Sequence, residues 1–279
     1  MKTNKLPVFG YLGIFILLTS SLFLILQVRP VTWFYTPLAW TGYILFIDGI
    51  VFIRRGHSLL VNRPGEMFYM MILSIVCWLI FEAYNVHIQN WHYEGLPEKL
   101  WIRWLGYGWS FATIFPGLFE TTDLIESFGL FKRFRIKIKR VNQPIQWSFI
   151  FLGTTFLIVP LLFPSDHAQY MTGMIWVGFI LLLDPINYKL NARSILYDWE
   201  KREGNKIFYL MLAGLICGFL WELWNFWAEA KWIYDVPIAQ DLKIFEMVLP
   251  GYLGFVPFAV ECYLMYYFCL RVLLGIRSK

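Results

Sequence analysis

Eight apolar runs, each about as long as a bilayer is thick and separated by clusters of Lys and Arg, limit this 279-residue chain more than any other feature. They fall at roughly 8–28, 33–53, 67–88, 106–126, 146–163, 171–188, 207–228 and 249–270, each near the ~20 residues that a membrane helix needs. The runs are continuous rather than alternating, and in lipid only helices or closed barrels satisfy the backbone. The predicted fold is therefore all-α, a polytopic membrane protein of eight transmembrane helices. Charged residues make up 15% of the chain, well below the roughly 25% of a soluble domain. The four cysteines lie inside apolar runs and behave there as small hydrophobes, so no disulfide framework is expected. Lys2 and Lys5 before the first run resemble the start of a signal peptide. The run that follows is long and carries no small-x-small cleavage site, so it reads as a retained first span.

An even number of spans puts both termini and every even connection on one side. Nineteen of the 24 Lys and Arg residues fall on that side, from Lys2 and Lys5 through Arg54, Arg55, the run Lys132 to Arg140, and on to Arg277 and Lys279. The other side holds only Arg29, Lys99, Arg103, Lys231 and Lys243. By the positive-inside rule both termini are expected in the cytoplasm, with the chain in the inner (plasma) membrane. The basic run Lys132 to Arg140 reads as part of this topology signal.

Sliding the chain along itself by 136 to 141 residues aligns its halves. Trp40-x-Gly42 meets Trp176-x-Gly178, and Asp48 meets Asp184. After a short insertion Cys77, Glu82 and Asn85 meet Cys217, Glu222 and Asn225. One residue later Trp91-x-Tyr93 meets Trp232-x-Tyr234, and Pro116 and Glu120 meet Pro257 and Glu261. Four spans per half make the second half enter the membrane in the same direction as the first. The expectation is two parallel four-helix repeats, residues 1–130 and 146–279, joined by a basic cytoplasmic linker at 131–145 and related by a pseudo-twofold axis along the membrane normal.

Seven acidic residues fall inside predicted spans: Asp48, Glu82, Glu120, Asp123, Asp184, Glu222 and Glu261. An unpaired charge there costs at least a few kcal/mol, so these side chains should face an interior. All but Asp123, whose counterpart is Leu264, form repeat-related pairs. Glu82, Glu222, Glu120 and Glu261 are the candidate catalytic acids, since a buried carboxyl is a proton donor for a buried substrate. Asn85 and Trp78 share the helix face of Glu82, and Asn225 and Trp221 accompany Glu222. With Asp48 and Asp184 these are the candidate substrate-binding residues. Pro116 and Pro257 stand one turn before their glutamates, where a proline bends the helix and frees a carbonyl. Trp91, Tyr93, Trp101, Trp104, Trp232 and Tyr234 flank outer span ends, where interfacial belts place aromatics in any case. The four histidines lack paired helical spacing, so neither metal, haem nor another cofactor is expected. No P-loop, GxGxxG, HExxH or DDxxD motif is present.

Read from Asp48 onward, each half gives an acidic residue near the cytoplasmic end of a helix, basic residues, a late acidic residue in the next helix, Trp-x-Tyr, an apolar-Pro pair (Leu96-Pro97 or Val236-Pro237), and a helix bearing proline and glutamate. This order resembles the bacterial and fungal membrane-embedded lycopene cyclases. The chain departs from them in carrying Pro-x-x-x-Glu, Glu at the late acidic position, and four spans per unit. The resemblance implies acid-catalysed chemistry on a long polyene or isoprenoid, with carboxyls protonating a double bond and aromatic faces steadying the cation.

Three functions follow. The first is a membrane enzyme that uses buried carboxyls on a lipid-soluble, isoprenoid or carotenoid-like substrate held between the repeats. The second is a small-solute or proton-coupled transporter, and the third a non-catalytic scaffold. A lipid-soluble small molecule and the membrane itself are the expected partners, not nucleic acid, and no oligomeric state follows. A cavity that opens to lipid favours the first function; one that joins both aqueous faces favours the second.

Overall fold

A computed structural model gives the structure of residues 5–134, 136–202 and 204–276. Lys2, Arg135, Arg277 and Lys279, counted above among the basic residues, lie outside the described residues. The chain is mostly helical. Seven helical segments among the described residues are long and apolar enough to cross a membrane, the character of a multi-pass membrane protein.

The first six helices are α1 (Val8–Ile25), α2 (Tyr35–Arg55), the short α3 (Leu59–Asn62), α4 (Pro64–Ile88), α5 (Leu100–Ala112) and α6 (Ile114–Phe128). The next six are α7 (Gln143–Leu162), the short α8 (Ser165–Ala168), α9 (Thr172–Leu190), the short α10 (Ile195–Glu200), α11 (Lys206–Trp227) and α12 (Phe255–Leu273). A 3-10 turn, Leu249–Gly254, leads into α12.

The fourth predicted run, 106–126, is divided. Its residues belong to α5 and α6, of 13 and 15 residues, which part at Thr113. Pro116 is the third residue of α6, where its missing N–H has no intrahelical acceptor to lose. The proline therefore sits in the first turn of a new helix rather than bending a continuous one. Pro257 likewise is the third residue of α12. The backbone groups left over at the break between α5 and α6 go to Ser74 of α4. Its hydroxyl donates to Phe111 O at 2.5 Å and accepts from Phe115 N at 3.1 Å.

Close helix packing repeats along the chain. A Cβ on Gly13 of α1 would stand 2.5 Å from Gly42 O of α2, and one on Gly153 of α7 would stand 2.7 Å from Gly178 O of α9. Only glycine lets these backbones approach so far. Gly13 and Gly153 lie at the offset of 140 that also matches Glu82 to Glu222. The outer faces of α1 and α7 are apolar and exposed, as at Phe15, Leu18, Phe151 and Leu162, which suits lipid.

Two small ladders add to the helices. Strands β1 (Trp91–Glu94), after α4, and β2 (Lys231–Tyr234), after α11, pair antiparallel. Trp91 stands opposite Tyr234, and Tyr93 opposite Trp232. The register is unchanged when each residue is exchanged for its counterpart in the other half. Strands β3 (Lys243–Ile244) and β4 (Met247–Val248) form a short second ladder.

Ion pairs lie at both ends of the bundle. At one end Arg55 pairs with Asp123 and Glu126, both at 3.4 Å, and Lys206 with the same two acids at 3.8 and 3.1 Å. Asp123, which has no acidic counterpart in the second half, thus joins the ends of α2 and α6 to the start of α11. The other end carries the ladder of β1 and β2, with Arg29 bonded to Glu229 and Lys231 to Glu246.

Candidate functional site

At the ladder end the two halves enclose a cavity of about 510 Å³. Sixteen of its forty lining residues are Trp, Tyr or Phe, twice the aromatic share of the whole chain. They come from both halves: Trp40, Trp78 and Trp91 from the first, Trp176, Trp221 and Trp232 from the second. Tyr170 and Leu253 also line it and are 60% and 71% exposed, so the cavity reaches the surface beside the start of α9 and the 3-10 turn before α12. Arg55, Asp123, Glu126 and Lys206, at the opposite end of the bundle, do not line it.

No carboxyl group stands in the wall, but two stand directly behind it. Glu82 Oε1 accepts hydrogen bonds from Tyr93 OH at 2.5 Å, Trp78 Nε1 at 3.0 Å and Trp91 Nε1 at 3.3 Å. Glu222 Oε1 accepts from Tyr234 OH at 3.1 Å, and Tyr234 OH accepts in turn from Trp232 Nε1 at 3.0 Å. All five donors line the cavity. Burial, followed by the charge of the adjacent glutamate and its hydrogen bond, pushes the phenols of Tyr93 and Tyr234 well above the usual tyrosine range. Each phenol therefore keeps its proton at physiological pH.

The asparagines hold the strands that bring these phenols in. Asn85 Nδ2 donates to Trp91 O at 2.8 Å, and its Oδ1 accepts from Asn90 N at 2.9 Å and Trp91 N at 3.2 Å. Asn225 Nδ2 donates to Trp232 O at 2.8 Å and its Oδ1 accepts from Trp232 N at 2.9 Å. Each side-chain amide thus clamps one tryptophan peptide at the start of its strand. The extra residue between Asn225 and Trp232 is the step from an offset of 140 to 141 seen in the sequence.

Of the residues singled out from the sequence, Trp78 and Trp221 line the cavity, while Glu82, Glu222, Asn85 and Asn225 stand behind it. Asp48 and Asp184 lie elsewhere. Asp48 Oδ1 accepts from Leu60 N at 2.9 Å, and Asp184 accepts from Ile195 N at 2.7 Å and Leu196 N at 3.2 Å. Each thereby ties the first turn of a short helix, α3 or α10, to the long helix before it. Glu120 and Glu261 are buried and line no part of the cavity; Glu120 lies within hydrogen-bonding reach of the Asp48 carboxyl group, and neither oxygen of Glu261 has a hydrogen-bond partner among the described residues.

Trp101 and Trp104 are exposed, whereas the two Trp-x-Tyr motifs are not placed as an outward-facing belt requires. Trp91, Tyr93, Trp232 and Tyr234 turn inward and line the cavity. Their recurrence in both halves was the signal in the sequence. Direction was missing, because a four-residue strand just past a helix end has no period long enough to fix a buried face. Compared with known proteins, the chain matches no family model, no curated protein and no solved structure.

Proposed function

We propose that the protein is an integral membrane enzyme that holds a lipid-soluble substrate, isoprenoid or carotenoid-like, in the aromatic cavity and exchanges protons with it through Tyr93 and Tyr234. The observation that carries this reading is the pair of cavity-wall phenols, each hydrogen-bonded to a glutamate behind it. With the glutamate protonated, a phenol that gives its proton into the cavity takes one from the carboxyl group and leaves a carboxylate; with the glutamate ionised, a phenol that takes a proton from the substrate releases its own to the carboxylate. The surrounding indole and phenyl faces stabilise positive charge on a bound polyene. The resemblance to lycopene cyclases supports the same class of chemistry, with the tyrosines between acid and substrate as this chain's own feature.

The architecture that accompanies this reading is eight crossings in two parallel four-helix repeats. In it α5 and α6 cross together as one broken span, and both termini lie in the cytoplasm. The symmetric register of β1 and β2, the matched glycine contacts and the matched asparagine clamps support the duplication. Confinement of the cavity to one end of the bundle favours the enzyme over the transporter. Lipid extraction of the purified protein followed by mass spectrometry tests the substrate class. A co-purified polyene or isoprenoid is the expected result, and a small polar solute in its place would return the transporter to the front.

A further inference from the structure

The cavity draws its aromatic lining from both halves, yet its charge is not repeated between them. Among the described residues, Arg103 and Lys231 are the only charged ones that line it. At the offset of 141 that relates Trp91 to Trp232, Arg103 corresponds to Ile244 and Lys231 to Asn90, so neither cation is repeated. Lys231 is already neutralised by Glu246 at 2.7 Å. Arg103 is different: its Nε donates to Pro97 O, and no carboxylate lies within ion-pair distance of it among the described residues. Its terminal nitrogens are a fork suited to an anionic oxygen pair. Half-buried in the first turn of α5, Arg103 brings an unpaired positive charge to a mostly apolar wall, where an anion can complete it.

Resting on the reading of the cavity as a lipid-substrate site, we propose that its ligand is a single-chain amphiphile with one anionic head, a carboxylate or a phosphate. The head is held by Arg103 and the unsaturated or apolar chain runs among the tryptophans. The repeat-related phenols then meet the chain, and Arg103 decides which end enters where.

The probe is cis-parinaric acid, a conjugated tetraene fatty acid that accepts energy from tryptophan, compared at neutral pH with its methyl ester on the full-length protein in lipid nanodiscs. The acid is expected to bind roughly tenfold more tightly than the ester, the range of a charge-assisted hydrogen-bonded pair. Arg103→Gln should abolish this preference without weakening the ester, whose unchanged binding shows the variant to be folded. Arg103→Lys should keep most of the preference. Displacement of the acid by hexadecanoate and by hexadecyl phosphate, but not by hexadecanol, supports an anionic head and ranks the two kinds. Equal binding of acid and ester to the wild type overturns the anionic head and leaves the apolar cavity standing. Energy transfer no greater than in protein-free nanodiscs overturns both.

Discussion

Glu82 and Glu222 occupy the same place in the two halves but are held differently. Three cavity-wall donors converge on one oxygen of Glu82, whereas Tyr234 bonds Glu222 and is itself bonded by Trp232. In both, the phenol lines the cavity and the glutamate does not. Tyr93→Phe and Tyr234→Phe keep the ring in the wall and remove only the hydroxyl. Each variant should remain folded, losing about 1 kcal/mol in unfolding experiments, while conversion of the substrate falls by roughly 10²–10⁴-fold. The glutamates and asparagines were legible in the sequence because rare polar residues recur in apolar runs at one offset. The tyrosines were not, since an amphipathic aromatic beside a span end has the same signature whether it faces headgroups or a cavity. Asp48 and Asp184 show the reverse, for their burial and pairing were legible and their bonds to backbone N–H groups of α3 and α10 were not.

At the level of elements, the break between α5 and α6 and the ladder of β1 with β2 shape the site most. The proline was visible in the sequence, but the position of the break depends on Ser74, about forty residues away on another helix. Such a contact leaves no local trace. The ladder was equally hidden, because its strands lie far apart in the chain and no local pattern links them. It has a titratable fastener at its edge: His92 Nδ1 lies 2.6 Å from Asp235 Oδ2, and Nε2 lies 3.2 Å from Glu94 Oε1. Asp235 first and Glu94 second raise the His92 pKa above its ordinary value. A histidine whose folded pKa is raised contributes stability that is fully present below its unfolded value near 6.5 and is lost as pH rises through the folded value. The difference in melting temperature between wild type and Asp235→Asn should therefore be largest in mildly acidic buffer and shrink toward alkaline pH. A difference that grows with pH would contradict this role.

For the whole molecule, seven of the eight apolar runs correspond to long helices in the expected order, and the fourth is divided between α5 and α6. The position of the cavity was not available from them, since it depends on how the halves meet. The apolar runs say where lipid lies, and the paired polar residues say which faces turn away from it. The ion pairs of Arg55, Lys206, Asp123 and Glu126 lie at the end opposite the cavity. In the proposed topology that end is cytoplasmic and the cavity opens toward the outer leaflet. A reporter fused after Lys279 should accordingly be active if it works in the cytoplasm and silent if it works only outside; the opposite pattern would reverse the orientation.

The central claim, that the paired Glu–Tyr units act on a lipid-soluble substrate between the halves, meets its most direct test in the Glu82→Gln, Glu222→Gln double variant. Gln keeps the size and much of the hydrogen bonding of Glu but cannot supply or store the proton. Lipid extracts of host cells carrying the wild type, the double variant or a deletion of the gene are compared by mass spectrometry, with binding of cis-parinaric methyl ester to the purified variant as the check on its fold. The account predicts that the variant binds the ester like the wild type and that its extract matches the deletion, with substrate accumulated and product absent. An extract matching the wild type, from a variant that binds the ester normally, would contradict the claim and leave the glutamates as ties between helices, with at most ~1–2 kcal/mol of stability to show for them.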